Sequence, residues 1–242
     1  MALAFPKKMN ELGHEIRAFM PRFGLINERR HQLHEVIRLS GINVVINDYD
    51  QPLVIKVASV PGARIQVYFI DNEEYFKRKG SWEDDKGAFY ADNGARSLFF
   101  SKSIIETIKK LGWQPDVIHI MGWMSAPLPV YLRQFHAEDP HFAGTKLVYS
   151  LFDNGFTGCL DDGLEQGMAF DGVKNPELFN QPTADSLYCQ ALRSVDAVLE
   201  MSDLAPAAAI AAAKEAGVPV HDGRPFMEQP ALLDAFYESL FA

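Results

Sequence analysis

Residues 113–123, WQPDVIHIMGW, and residues 146–158, KLVYSLFDNGFTG, carry the pattern that decides the fold. In the first, the short apolar run DVIHIM at residues 116–121 predicts a strand. A helix is expected to begin near Gly122, and TKLVYSL at residues 145–151 predicts a second buried strand. Strands that alternate with helices of ten or more residues favour an α/β domain with a mainly parallel sheet.

The same alternation extends in both directions from this centre. Upstream, helical spacing of apolar residues predicts an opening helix that ends near Gly13, followed by a strand at residues 15–20. Three β-rich runs between residues 36 and 70 indicate a small antiparallel excursion, and a polar loop covers residues 71–92. A long helix is expected from an Asp92 or Asn93 cap to Gly112. Further elements are expected near residues 184–193, 195–201, 205–216, 218–220 and 229–241, and we predict a single domain over residues 1–242.

Composition and charge exclude several classes of protein. With 242 residues, 48% of them hydrophobic, the chain can build a core. The net charge of −9 argues against a duplex-binding protein, and residues 151–242 hold fifteen acidic against four basic side chains. No apolar run of about 18 residues is present, which argues against a membrane span, and no signal peptide is recognisable, which predicts a cytoplasmic protein. Cysteine spacing indicates neither a disulfide framework nor a zinc site, and we expect no cofactor or metal.

Four stretches together resemble the N-terminal domain of bacterial glycogen synthases and plant starch synthases. They are residues 11–29 (ELGHEIRAFMPRFGLINER), residues 70–82 (IDNEEYFKRKGSW) and the two segments quoted first, and the similarity runs from about Phe5 to about Gly172. Members of this family are retaining glucosyltransferases of the two-domain GT-B architecture. The resemblance implies a Rossmann-like, mainly parallel sheet with helices on both faces, corresponding to the N-terminal half of such an enzyme.

The resemblance also implies ligands and a site. It points to ADP-glucose as donor and an α-1,4-glucan as acceptor, bound where the carboxyl ends of parallel strands meet. The substrate-binding residues that it implies are Asp116, His119, Gly122, Trp123, Asp153 and Asn154, with no catalytic residue assigned. Two motifs depart from the family: Met121 stands in place of a histidine, and Phe152 and Asp153 stand in place of a His-Asn pair whose histidine contacts the donor glucose.

Two larger departures concern whole segments. Family members open with a strand and a Lys-x-Gly-Gly loop that holds the diphosphate, whereas Met1 falls just after that point, so we expect the first strand to be missing from the numbered chain. We also expect the second domain of the family to be missing from the numbered chain. These departures predict a glucosyltransferase domain that needs a protein partner for the other half. The alternative is a non-catalytic glucan-binding or regulatory module that kept the fold and lost the chemistry.

Several residues carry a structural reading beside the functional one. His119 could contact a sugar or be a core histidine, Trp123 could stack on a pyranose or belong to the core, and Asp116 could simply begin its strand. The basic cluster at residues 77–79 lies beside Trp82 and could face a glucan, a phosphate or solvent. The acidic pair Asp161 and Asp162 gives weak support for a hydrolase, because no partner carboxylate is identifiable.

Overall fold

The computed structural model of the protein describes residues 4–153 and 155–242, in which helices and strands alternate along most of the chain. The strands are β1 (Arg17–Pro21), β2 (His34–Glu35), β3 (Ile42–Ile46), β4 (Tyr49–Ser59), β5 (Gln66–Asp71), β6 (Val117–Met121), β7 (Lys146–Leu151), β8 (Ala197–Glu200) and β9 (Val220–Asp222). The helices are α1 (Ala4–Glu11), α2 (Glu73–Phe76), α3 (Asn93–Leu111), α4 (Pro127–Phe135), α5 (Gly163–Phe170), α6 (Ala184–Leu192), α7 (Ala207–Glu215) and α8 (Pro230–Ser239).

The strands form two sheets rather than one. The first has the order β1-β5-β4-β2, with β3 paired to β4, and only its β1–β5 pair is parallel. The second has the order β6-β7-β8-β9 and is parallel throughout. The antiparallel excursion and the parallel strands are both as the sequence predicts, and the α/β class is confirmed.

The division of the sheet falls between β1 and β6. Each of these strands pairs on one side only, and no strand in the described part of the chain lies between them. Residues 17–20 and 117–119 are half-buried, whereas residues 147–151 of β7 are fully buried. Helix α1 reaches both sheets, because Asn10 accepts a hydrogen bond from the Arg64 backbone and Phe5 packs 6.0 Å from the His119 ring. The strands therefore form two sheets that share a helix across the break.

Helices cover both faces of the second sheet. Val148 and Tyr149 are consecutive residues of β7 and point to opposite faces, as strand geometry requires. Val148 packs in a smaller cluster with α1 and α8, whereas Tyr149 belongs to the larger cluster that includes α3, α4 and α6. None of the helices in residues 4–153 and 155–242 is long and apolar enough to cross a membrane.

Helix α3, the longest of the helices given above, connects the two sheets. It ends at Gly112, whose φ of 62° is left-handed and whose N–H reaches the carbonyls of Ile108 and Lys109, as the sequence predicts. At the other end Asp92 holds the cap position without making a side-chain cap. Its carboxylate binds Arg78 instead, with both oxygens engaged. The predicted cap residue is thus an anchor for the preceding loop.

Two helices were not predicted from the sequence. Helix α2 lies inside the segment predicted to be loop, where Asn72 caps it by accepting a hydrogen bond from the Tyr75 N–H. Helix α5 contains Gly163 and Gly167 and forms where no helix was expected. Gly167 suits close packing, because a Cβ there would lie 2.4 Å from the Leu98 side chain on α3, which would have to shift. Close helix contact therefore favours a glycine that helix propensity disfavours.

Candidate functional site

A row of aromatic rings marks the edge at which the parallel strands end. Phe23 follows β1, Trp82 lies in the loop after β5, Trp123 follows β6 and Phe156 follows β7. Ring centroids lie 6.3 Å apart for Phe23 and Trp82, 6.2 Å for Trp82 and Trp123, and 4.9 Å for Trp123 and Phe156. Phe89 closes the row by stacking on Phe156 at 5.2 Å. Loops from both sheets therefore meet at one edge.

The turn after β6 places the predicted residues Gly122 and Trp123 at this edge. Gly122 has φ 79° and ψ 152°, a conformation that is essentially restricted to glycine. Its carbonyl accepts hydrogen bonds from the Tyr149 and Ser125 hydroxyls. Trp123 follows in a short 3-10 turn and is 3% exposed. The Trp123 indole supports the row from inside, which is the core position that the sequence left open.

The loop of residues 77–92 holds Trp82 in a defined position. The Trp82 carbonyl accepts hydrogen bonds from the Tyr90 N–H at 3.0 Å and from the Asn93 side chain at 2.7 Å. Glu83 and Phe89 pair as an isolated bridge, so the loop folds back on itself as a short hairpin. Gly80 permits this, because a Cβ there would lie 1.6 Å from the Glu83 carbonyl oxygen.

A buried arginine on α3 ties this loop to the core. Arg96 is fully buried and donates hydrogen bonds to the Tyr75 carbonyl, the Ser81 carbonyl and the Asn93 side chain. Its guanidinium also lies 5.1 Å from the Tyr90 ring. Burial lowers the Arg96 pKa to about 10, so the group stays charged at neutral pH. Sequence reasoning missed this residue, because an arginine within a helix is normally read as a solvated side chain.

The basic cluster at residues 77–79 does not act as a unit. Lys77 binds Glu73 at 2.6 Å, and Arg78 is paired with Asp92. Hydrogen bonding to Asp92 is the main cause that raises the Arg78 pKa. Lys79 is exposed and has no carboxylate partner in the described part of the chain. A phosphate would therefore meet one free lysine here rather than three basic groups.

Asp153 lies exposed in the loop after β7, at the carboxyl edge. The preceding Phe152 is half-buried and packs against the smaller cluster that contains α1 and α8. Asn154, the other predicted residue of this loop, lies outside the described residues. The carboxylate of Asp153 is thus a polar group that this segment offers to a ligand.

His119 faces α8 rather than the open edge. Its Nε2 lies 2.6 Å from the Ser150 hydroxyl, and its Nδ1 contacts the Tyr237 hydroxyl on α8. Burial lowers the His119 pKa to about 4, so the imidazole is neutral at neutral pH. Both ring nitrogens have protein partners, which is the geometry expected of a core histidine. Its predicted contact with a sugar stays a prediction.

Asp116 lies at the opposite end of β6 from Gly122 and Trp123. The strand covers five residues, which separates its first and last Cα atoms by roughly 13 Å. Asp116 is exposed, and its carbonyl accepts a hydrogen bond from the Lys146 N–H at the start of β7. The structure therefore does not bring Asp116 together with the residues of the aromatic row.

The acidic pair Asp161 and Asp162 takes a structural arrangement. Asp161 accepts backbone hydrogen bonds from Gly94 and Gly163, both at 2.8 Å, and so joins the first turns of α3 and α5. Burial raises its pKa. Asp162 binds Gln166 at the surface. Among the described residues no group of three metal-binding side chains is present.

The side chains at this edge are better suited to binding a sugar than to catalysing a reaction. Aromatic faces pack against the apolar face of a pyranose, and exposed carboxylates accept hydrogen bonds from its hydroxyls. Sequence reasoning identified Trp82 and Trp123 but missed Phe23, Phe89 and Phe156. The one available signal was that Phe156 is an apolar aromatic residue in the otherwise polar segment that follows β7.

Comparisons with known proteins agree with this architecture. The family described as the starch synthase catalytic domain matches residues 1–216, so the chain belongs to that glycosyltransferase family. Among curated relatives, a glycogen synthase of Chlorobaculum parvum is 35% identical over 178 residues, covering 73% of this chain and 36% of that protein. A glycogen synthase of Chlorobaculum tepidum is 33% identical over 205 residues, covering 83% of this chain and 41% of that protein.

A solved structure shows the same fold. The catalytic domain of starch synthase IV from Arabidopsis thaliana, bound to ADP and acarbose, superposes with a TM-score of 0.68 at 14% identity. The match covers 90% of this chain and 46% of that chain. The chain thus spans less than half the length of each of these three proteins, and it carries a glycosyltransferase domain of the glycogen or starch synthase type.

Proposed function

We propose that residues 1–242 form one domain that serves as the N-terminal half of a glucosyltransferase acting from ADP-glucose to an α-1,4-glucan. In this proposal the carboxyl edge at Gly122, Trp123 and Asp153 receives ADP-glucose or glucan, and a protein partner supplies the second half of the cleft. Family membership and the names of the relatives support the reaction class.

The observation that carries the proposal is the row of aromatic rings at the carboxyl edge. It joins the loops that follow two parallel strand pairs, β1 with β5 and β6 with β7, at strand ends of the kind where α/β proteins bind ligands. Transfer between sugars depends on holding both rings in line and on stabilising the charge that develops between them. One face of a two-domain cleft can provide the first of these. The second requires groups that approach from the other side, so we expect no turnover by the chain alone.

The second candidate function is a non-catalytic glucan-binding or regulatory module. Phe152 favours it, because this side chain packs inward and has no hydrogen-bonding group for a donor sugar. His119 favours it as well, since both of its nitrogens are engaged within the protein. The two candidates share glucan binding and differ in whether a partner restores turnover.

The test combines binding and turnover on the purified chain. We expect glycogen to retard the protein in affinity electrophoresis, and we expect no transfer of labelled glucose from ADP-glucose to glycogen. Turnover by the chain alone would refute the need for a partner. Absence of both glycogen retardation and a thermal shift with ADP-glucose would refute the proposal itself. Transfer that appears only when a second domain of a relative is added supports the enzyme over the binding module.

Variants at the edge add a matched control. Asp153→Asn removes a charge at the proposed site, and we expect weaker retention of glycogen. Glu215→Gln removes a charge on the exposed surface of α7, away from the aromatic row, and should leave retention unchanged. Phe152→His alone should not create turnover, because it does not supply the other side of the cleft.

A further inference from the structure

Trp82 exposes part of its indole at the outer end of the aromatic row. The side chain is 39% exposed, although Phe23 and Trp123 contact it from the protein side. It lines a surface cleft between the loop after β1 and the loop after β5. The residues of this cleft are Leu25, Lys79, Gly80, Ser81, Trp82, Glu83, Asp84 and Asp85.

We propose that this cleft, called here the Trp82 cleft, is a subsite for a neutral α-glucan, with a glucose ring stacked on the Trp82 indole. The inference rests on the proposed function and deepens it, because it assigns the glucan to one end of the carboxyl edge. It also distinguishes glucan from nucleotide sugar, which the sequence left open at this position.

The orientation of the indole supports stacking. Phe23 meets the Trp82 ring at 82° and Trp123 meets it at 73°, so neither neighbour lies flat on it. The carbonyl of Trp82 is held by Tyr90 and Asn93, which restricts the backbone that carries the ring. A flat apolar ring that is exposed and already ordered costs little entropy when a sugar packs on it.

The two walls of the cleft are held close together. A Cβ at Gly24 would lie 2.0 Å from the Arg78 carbonyl oxygen, so the loop after β1 touches the loop after β5. Leu25, which is 66% exposed, lines the same cleft as Trp82 and gives it a second apolar side chain. The distance between the walls therefore depends on backbone contact rather than on flexible side chains.

The charge of the cleft selects a neutral ligand. Glu83 and Asp85 are exposed carboxylates, and Lys79 is the cation that lines the same cleft. Asp84 is engaged within the loop, where it accepts hydrogen bonds from the Lys86 and Ala88 N–H groups. An excess of carboxylates repels a diphosphate but accepts hydrogen bonds from sugar hydroxyls. The Trp82 cleft therefore suits glucan and disfavours ADP-glucose.

The direct test is calorimetric titration of the full chain with maltoheptaose. We expect Trp82→Ala to weaken binding about tenfold, the effect of truncating an aromatic residue at the centre of a contact. Tyr49→Ala is the matched control, because Tyr49 is an exposed aromatic residue on the β3–β4 turn, and its affinity should equal that of the wild type. Circular dichroism and thermal unfolding establish that both variants are folded.

A second variant keeps the test decisive if Trp82→Ala does not fold. Trp82→Phe preserves an aromatic face, so we expect it to bind maltoheptaose with an intermediate affinity. It should also lose most of the fluorescence change on binding, because the other two tryptophans are the buried Trp123 and the half-buried Trp113. ADP-glucose should not displace maltoheptaose from the wild type, and higher salt should change the glucan affinity little.

The outcomes separate the inference from the proposed function. Unchanged maltoheptaose affinity in folded Trp82→Ala, with glycogen retention intact, overturns the Trp82 cleft and leaves the proposed function standing. Loss of the maltoheptaose affinity in Tyr49→Ala to the same extent also overturns it. If the wild type binds neither maltoheptaose nor glycogen, the cleft and the glucan part of the proposed function both fail.

Discussion

The two sheets of this protein hold their loops in different ways. At the end of β1 in the first sheet, Arg22 and Asp71 are both buried and lie 2.9 Å apart, and Lys56 adds a second contact to Asp71 at 3.0 Å. In the second sheet the central strands β7 and β8 are mostly apolar and buried, with the charged Lys146 and Glu200 half-buried at their ends. The first sheet thus positions its loops with buried charges, and the second does so with apolar packing.

The candidate site lies where loops of the two sheets meet. Trp82 comes from a loop of the first sheet and Trp123 from a loop of the second. Helix α3 holds both: Asn93 binds the Trp82 carbonyl, and the Ser97 hydroxyl donates to the Met124 carbonyl at 3.0 Å. The contact between Trp82 and Trp123, which joins the two sheets, therefore depends on one helix. Substitutions near the first sheet and near the second sheet should disturb this contact to different degrees.

The largest loss of stability is expected from Arg96→Ala, which removes the polar anchor of the loop that follows the first sheet. Three hydrogen-bond acceptors lose their partner inside the protein, so the free energy of unfolding should fall by more than roughly 3 kcal/mol. Urea unfolding measures it. Arg193→Ala, at an exposed arginine, is the control and should have little effect. A loss in Arg96→Ala as small as in the control would show that the loop does not depend on this anchor.

The next largest loss of stability is expected from Gly122→Ala, which disturbs the turn after β6 in the second sheet. The φ of 79° and ψ of 152° are unfavourable for any residue with a Cβ, so the loss should be about 2 kcal/mol. Gly144→Ala is the matched control, because a Cβ there meets no atom within 4 Å, and it should cost under about 0.5 kcal/mol. Equal stability of the two variants would contradict the strain assigned to the turn.

The stability of the second sheet should depend on pH through His119 on β6. The His119 pKa is about 4 in the folded protein, against a usual value of 6.5, so the unfolded chain binds a proton more readily. The contribution of neutral His119 to the free energy of unfolding is complete above pH 6.5 and is lost as the pH falls toward 4. Between pH 7 and pH 5 the wild type should lose about 2 kcal/mol from this group.

His119→Gln separates this contribution from those of the other histidines. Its free energy of unfolding should depend less steeply on pH over the same interval, whereas the exposed control His31→Gln should keep the wild-type slope. An unchanged slope in His119→Gln would mean that the imidazole is not buried as a neutral group against Tyr237 and Ser150.

The smallest effect is expected where the antiparallel hairpin of the first half meets the helices. The Tyr131 hydroxyl donates to Asp171 at 2.6 Å, and Lys102 binds both oxygens of the same carboxylate and the Val45 carbonyl. Because Lys102 remains, Tyr131→Phe should cost about 1 kcal/mol. Tyr49→Phe at the exposed turn should cost nothing measurable by thermal unfolding. A loss above roughly 3 kcal/mol would indicate that the tyrosine, not the lysine, holds this junction.

Much of the fold could be predicted, because local signals set its elements. Gly112 ends α3 with the left-handed cap that its sequence position predicts, and β6 and β7 follow from short apolar runs. Helix α5 could not be predicted, since Gly167 makes a close contact with α3 that only tertiary packing creates. Asp92 or Asn93 was predicted as the cap; Asp92 holds the cap position, but its carboxylate binds Arg78 because a charged partner from the preceding loop competes for it.

The candidate site divides in the same way. The sequence by itself determined the α/β class and the ends of the strands, because these follow from local periodicity. Its motifs also placed Gly122 and Trp123 just after one strand and Asp153 just after the next. Only the tertiary structure placed Phe23, Trp82 and Phe156 in one row and turned His119 toward α8. Such contacts join residues far apart in the chain, and their geometry depends on packing that no local pattern encodes.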